Sequence, residues 1–230
     1  MINIDKIKSS ELIKDPWDHK IIDNIFETDT FKTLSEAAHQ LSKFAKRGQV
    51  INVFPYKAKK YGISNEVLDI LTQVTNKTLS NVKDIIKDFP KHQRSYLGYF
   101  CLPHFAVTGP NFKFPIHTDS SNRTLTLVSY ITPETHSGTL LYSSNNEKDF
   151  VREVEWKQNR ALVLCPMNNE TTWHTWKNNS DQIRVGINLS CQRLENLHDV
   201  LATTREEDRD DVTEWLLDQF NHDNLLSNRV

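Results

Sequence analysis

Hydrophobic and polar positions divide the chain into three textures. From about residue 20 to residue 92, apolar residues recur every three or four positions. Leu34, Ala37, Ala38, Leu41, Phe44 and Ala45 form one such stripe, with a cap at Asp29 or Thr30. Val67, Ile70, Leu71, Val74, Thr78, Val82 and Ile85 form a longer one, which Ser64 or Asn65 can start and which stops before Pro90. Both predict amphipathic helices. From about residue 94 to 191 the period shortens to that of strands, over residues 96–105, 123–131, 139–142, 150–156, 160–164 and 182–189. Turn-prone strings such as Gly109-Pro110-Asn111 and Thr132-Pro133-Glu134 separate these runs. After Arg193 the pattern is helical again. Thr204-Arg205-Glu206-Glu207 fits a capping box, and Val212, Leu216, Leu217 and Phe220 share one face of an acidic helix.

Many short strands at this spacing argue for a sandwich, jelly roll or barrel. The expected organisation is one domain over residues 1–230. A helical support region covers 1–93, a β core covers 94–191 and a helical segment covers 192–230. The length of 230 residues allows a full-sized core.

Composition narrows the function classes. A net charge of -2, with no basic stripe or polybasic run, gives no footing for nucleic acid or an anionic membrane. The first twenty residues lack the apolar stretch of a secretory signal, and no run approaches a membrane span. Cys101, Cys165 and Cys191 are odd in number and widely spaced, without a C-x-x-C. They read as reduced, buried thiols in a cytoplasmic protein. The acidic run 206–211 reads as a solvated helix N-terminus, with a homodimer surface left open as the other use of that helix.

The candidate chemistry lies in the β region. His117 and Asp119 are two apart, so on a strand end they point to one side. Apolar Phe114-Pro115-Ile116 precedes them and turn-like Ser120-Ser121-Asn122 follows, which places the pair at a sheet rim. A lone H-x-D is weak evidence, but a second histidine, His174, lies between Trp173 and Thr175-Trp176, downstream of the apolar run 161–164. Two histidines and a carboxylate leave positions of an octahedral metal open, as in the non-haem Fe(II) oxygenases. Arg184 follows ten residues later and suits a carboxylate-bearing cosubstrate. On its run, Val185, Ile187 and Leu189 face one way, while Arg184, Gly186, Asn188 and Ser190 face a polar cavity or solvent. Singly, Arg184 reads as a solvated strand residue and His174 as a satisfied core histidine. Together and in this order they read as a site. His104, His136 and His198 read as bystanders, and Trp156 and Trp173 as core packing.

In order, the chain has Phe114-Pro115-Ile116-His117-Thr118-Asp119, a run ending in Tyr130, Ser137-Gly138-Thr139-Leu140, a run ending near Pro166, His174 and Arg184. This series resembles the Fe(II)- and 2-oxoglutarate-dependent dioxygenases, in their prolyl-4-hydroxylase-like branch, over residues 94–191. The resemblance extends weakly to Asp15-Pro16-Trp17-Asp18-His19, which looks like the entry to that family's leading helices. It implies a mainly β fold with flanking helices around a double-stranded β-helix (jelly-roll, cupin-like) core. His117, Asp119 and His174 would bind Fe(II). Arg184, Tyr130 and Leu140 would hold 2-oxoglutarate. Asn188, on Arg184's face of the strand, would touch the cosubstrate or water, and Trp176, bulkier than the small apolar residue of the family, would narrow the pocket or stack on substrate. The implied reaction uses O2, hydroxylates a C–H of a prolyl peptide or small molecule, and releases succinate and CO2. Ser137 replaces the first glycine of the family's turn, and Val107 and Phe114 stand where relatives carry tyrosine. A cupin-like metal dioxygenase or isomerase without 2-oxoglutarate, and a silent β-sandwich binding module, are the alternatives.

Overall fold

A computed structural model of the chain describes residues 1–90, 95, 97–166 and 172–221, the last four without their side chains. In chain order it contains helix α1 (Ile4–Ser9), strand β1 (His19–Asp23), helix α2 (Thr28–Ser42), strand β2 (Val50–Val53), a 3-10 turn (Pro55–Tyr61), and helices α3 (Asn65–Leu79) and α4 (Val82–Ile86). There follow β3 (Tyr99–Thr108), β4 (Phe112–Lys113), β5 (Arg123–Thr132), β6 (Thr139–Tyr142), β7 (Phe150–Val154), β8 (Arg160–Leu164), β9 (His174–Thr175), β10 (Lys177–Asn178) and β11 (Arg184–Arg193). Helices α5 (Leu197–Thr203) and α6 (Arg209–Asn221) end the described chain.

The strands form antiparallel sheets, none of them a closed barrel among the described residues. The largest has six strands in the order β1-β8-β5-β11-β3-β2. A three-stranded sheet (β7-β6-β9) and a two-stranded ribbon (β10-β4) complete the set. Strand parity gives the large sheet two unlike faces. Phe105 and Val107 of β3, Leu125 and Leu127 of β5, and Val185, Ile187 and Leu189 of β11 enter one core with Leu34 and Leu41 of α2 and Val67, Leu71 and Val74 of α3. The opposite face carries His104, Ala106 and Thr108, then Arg184, Gly186 and Asn188, and lines a cavity. The alternation expected along β11 is therefore present as far as Asn188.

Several expectations move. The region read as wholly helical contributes β1 and β2, the two edge strands of the large sheet. Asp15 to His19 accordingly leads into a strand, and His19 pairs with Leu164 of β8. Helix α2 starts at Thr28, with Glu27 at its cap, whereas Ser64 caps α3 by accepting from the Val67 N–H. The long second stripe is two helices. The Ser80 hydroxyl donates to the Asn76 carbonyl at 2.8 Å and the Asn81 amide to that of Lys77 at 2.9 Å, taking acceptors at the α3 terminus. Thr204 forms no capping box, because its hydroxyl donates back to the Val200 carbonyl at 2.8 Å. On α6, Val212 and Leu216 are buried and Leu217 is exposed, while the side chain of Phe220 lies outside the described residues. Asp208, read as solvated, pairs with Lys57 at 2.5 Å. Strand β3 runs 99–108 rather than 96–105, and Tyr96 lies outside the described residues. No disulfide joins the three cysteines, all of which are buried. Among the described residues no helix is long and apolar enough to cross a membrane.

Candidate metal centre

His117 and His174 are cross-strand neighbours. Their backbones exchange hydrogen bonds of 3.0 and 2.9 Å, and their rings lie 4.4 Å apart. Asp119, two residues beyond His117, completes a trio whose ligand atoms all lie within 4.8 Å of one another. Each imidazole is held through Nδ1 by the carbonyl two residues earlier, His117 by Pro115 at 3.1 Å and His174 by Thr172 at 2.8 Å. A carbonyl only accepts, so Nδ1 carries the proton and Nε2 keeps its lone pair for a metal.

The electrostatics agree. Burial, and then the neighbouring His174, pull the His117 pKa down to about 4, so that ring is neutral at ordinary pH. Burial alone would raise the Asp119 carboxyl. Arg123, His174 and the nearby Thr126 hydroxyl outweigh it and hold the group below its usual range. Asp119 Oδ1 accepts from Arg123 Nη1 at 2.5 Å, while Oδ2 is buried with no partner. A neutral imidazole, an ionised carboxylate and an unsatisfied buried oxygen fit a divalent cation.

Arg184 lines the same cavity, whose volume is about 290 Å³. It is 5% exposed, and its Nη1 is buried without a partner. Among the described residues no carboxylate reaches it within ion-pair distance. Three rings surround its guanidinium carbon instead: Trp156 at 4.8 Å, Tyr130 at 5.6 Å and Trp176 at 5.7 Å. Burial brings its pKa down to about 10. Glu153 acts on it only from beyond ion-pair distance, so the desolvated guanidinium has the chemistry that suits an anion.

The other expected residues divide. Asn188 lies on the cavity floor, with Nδ2 3.4 Å from His104 Nε2. Trp176 faces the cavity and stacks on Phe114, rings 4.3 Å apart and 8° from parallel. Tyr130 is in the wall, but its hydroxyl donates to Thr139 Oγ1 at 2.7 Å. Leu140 is not brought to the cavity; Thr139 is, and Leu141 packs near Tyr130, because strand parity puts residues 139 and 141 on that side. Gly138 opens β6 where a Cβ would sit 1.8 Å from the Val154 carbonyl oxygen, so only glycine lets the strands approach. Val107 belongs to the core, and Phe114 lines the cavity.

Sequence reasoning did not place Arg123 or Thr139 at the site, favoured packing over a binding platform for Trp156, and set His104 aside as a non-ligand, which it is, without placing it in the cavity wall. His104 lines the cavity, and burial brings its pKa to about 4. Its signal was available: His104, Ala106 and Thr108 alternate with Phe105 and Val107, which puts the small and polar set on one face. His136 stays outside the trio and contacts the Asn178 side-chain oxygen through Nε2 at 2.9 Å.

No protein-family model matches this chain, and no curated protein matches it. Solved structures do. A prolyl hydroxylase from Trichoplax adhaerens, in complex with a hypoxia inducible factor oxygen degradation domain peptide fragment, superposes with a TM-score of 0.58 at 12% identity, covering 81% of this chain and 87% of that one. A Pseudomonas putida prolyl-4-hydroxylase gives 0.52 at 12% identity, over 83% of this chain and 96% of its own. The viral collagen prolyl hydroxylase of Paramecium bursaria Chlorella virus-1, as its 2OG complex, gives 0.52 at 13% identity, over 79% and 99%. The chain has the fold of these prolyl hydroxylases.

Proposed function

We propose that the protein is an Fe(II)- and 2-oxoglutarate-dependent dioxygenase, built as one domain on a double-stranded β-helix core, that hydroxylates a C–H of its substrate. The observation that carries this reading is the uncompensated Arg184 in the same cavity as His117, Asp119 and His174. When bound, Fe(II) with O2 supplies the oxidising power that turns 2-oxoglutarate into succinate and CO2 and the substrate C–H into C–OH. The chain's own residues bind and orient. His117, Asp119 and His174 would hold the ion. Arg184 would take the distal carboxylate of 2-oxoglutarate by charge-assisted hydrogen bonds. Tyr130, Trp156 and Trp176 keep water from that pair, which strengthens it. The stacked Phe114 and Trp176 wall the cavity beside His117 and bear on the substrate. A prolyl residue in a peptide is the substrate class we favour, since the Trichoplax protein of the same fold is seen with a peptide.

The test is succinate release from 2-oxoglutarate with Fe(II) in air, with prolyl peptides and small molecules as added substrates. The wild type is expected to turn over, and His174→Ala and Arg184→Ala to lose activity. Metal binding without any 2-oxoglutarate binding would instead support a cupin-like metalloenzyme. Binding of neither would support a silent β module.

A further inference from the structure

We infer that Arg123 is a positioning residue that fixes Asp119 as a one-oxygen metal ligand and so keeps a coordination position free. This rests on the reading of the trio as a metal centre. The turn after Asp119 is built to deliver this arginine. Ser120 Oγ accepts from the Asn122 N–H at 3.3 Å, and the Ser120 carbonyl accepts from the Arg123 N–H at 3.0 Å, closing a turn over residues 120–123. The chain folds back, and Arg123, the first residue of β5, reaches Asp119 four positions earlier.

Only one carboxylate oxygen is engaged. Oδ1 accepts from Nη1 at 2.5 Å, whereas Oδ2 is buried and partnerless. The Asp119 side chain is 6% exposed, so water does not compete for the free oxygen. A carboxylate with one oxygen committed to a guanidinium offers the other to a metal and resists chelating with both. An octahedral ion held by three protein atoms keeps three positions, two for a chelating 2-oxo acid and one for O2. A carboxylate that bound through both oxygens would occupy one of them.

The test uses the full chain loaded with Mn(II), comparing wild type, Arg123→Met and Arg123→Lys. Arg123→Met keeps the aliphatic stem without a donor, and Arg123→Lys restores a cation of similar reach. Metal-bound water is counted by water-proton relaxation, and 2-oxoglutarate affinity is measured by calorimetry. In Arg123→Met the count is expected to fall from three waters towards two, and 2-oxoglutarate affinity to fall about ten- to a hundredfold, with Lys restoring both. Wild-type relaxation and affinity in Arg123→Met would overturn the inference alone. If the wild type binds Mn(II) but not 2-oxoglutarate, the cosubstrate reading fails and the water count still decides the role of Arg123. A wild type that binds no Mn(II) overturns both.

Discussion

At Arg184 the proposed anion binding and the stability of the fold oppose each other at one side chain. A guanidinium buried among Trp156, Tyr130 and Trp176 has lost its water and gained no anion. Its lowered pKa means the folded state disfavours the charged form, a destabilising contribution present at every pH below about 10. Arg184→Leu should therefore raise the unfolding free energy of the ligand-free protein by about 1–2 kcal/mol while removing 2-oxoglutarate binding. Denaturant unfolding and calorimetry on one preparation check both, and a variant less stable than wild type would contradict the account. The candidate site was legible at this scale where residue type and spacing carry the chemistry. His117, Asp119, His174 and Arg184 could be found because few other side chains bind metal or pair with carboxylates. Leu140 failed because a one-residue change of parity exchanges it with Thr139, and no property of leucine reveals parity. Arg123 was missed because nothing in a lone arginine after a turn says that it folds back.

Among the elements, β1 and β2 escaped notice for a physical reason. They are edge strands of five and four residues, too short to show a period, and they lie between strong helical stripes. Their place in the sheet depends on tertiary pairing, which local pattern does not encode. The long strands β5 and β11 were legible because core positions (Leu125, Leu127 and Ile131; Val185, Ile187 and Leu189) alternate with cavity-lining ones (Thr126, Val128 and Tyr130; Arg184, Gly186 and Asn188). At the end of β1, Asp23 accepts from Arg160 Nε at 2.6 Å and from Lys157 at 2.7 Å, tying the edge strand to β8 and the turn before it. Arg160 is the larger cause, and against some burial the pair brings the Asp23 pKa to about 2. A depressed carboxyl stabilises above its unfolded pKa and loses that contribution as pH falls through its folded one. Asp23→Asn should thus melt about 1–4 °C below wild type at pH 7, the modest figure suiting a half-exposed pair. The gap should narrow from about pH 4 and vanish near pH 2. A gap constant across that range would assign the effect to packing instead.

At the level of the whole molecule, the trio of His117, Asp119 and His174 draws on two parts of the fold that also pack together through Tyr130, Leu141, Val154, Leu162 and Leu164. The large sheet packs α2 and α3 on one face. Its other face looks across the cavity to the small β sheets and, at the Phe100 end of β3, packs against Val212 and Leu216 of α6. His174 begins β9 of the three-stranded sheet, whereas His117 and Asp119 lie on the segment that leads into β5 of the large one. That segment meets β9 and the residue after it through the backbone bridge His117–His174, the Thr175 hydroxyl donating to the Phe114 carbonyl at 2.5 Å, and the Phe114 N–H donating to the Trp176 carbonyl at 3.1 Å. This bridge could not be read from sequence, since β9 and β10 have two residues each. An ion bound to all three side chains would cross-link the two sheets in the folded state and not in the unfolded one. Its binding free energy would therefore appear as folding free energy. At a hundredfold excess of Mn(II) over its Kd the linkage amounts to about 2.7 kcal/mol, or about 5–10 °C in melting temperature for a chain of this length. The rise should be reversed by a chelator and be absent in His174→Ala. A wild type whose midpoint ignores both metal and chelator would show that the trio does not hold the sheets together through an ion. A rise retained in His174→Ala would place the binding elsewhere in the molecule.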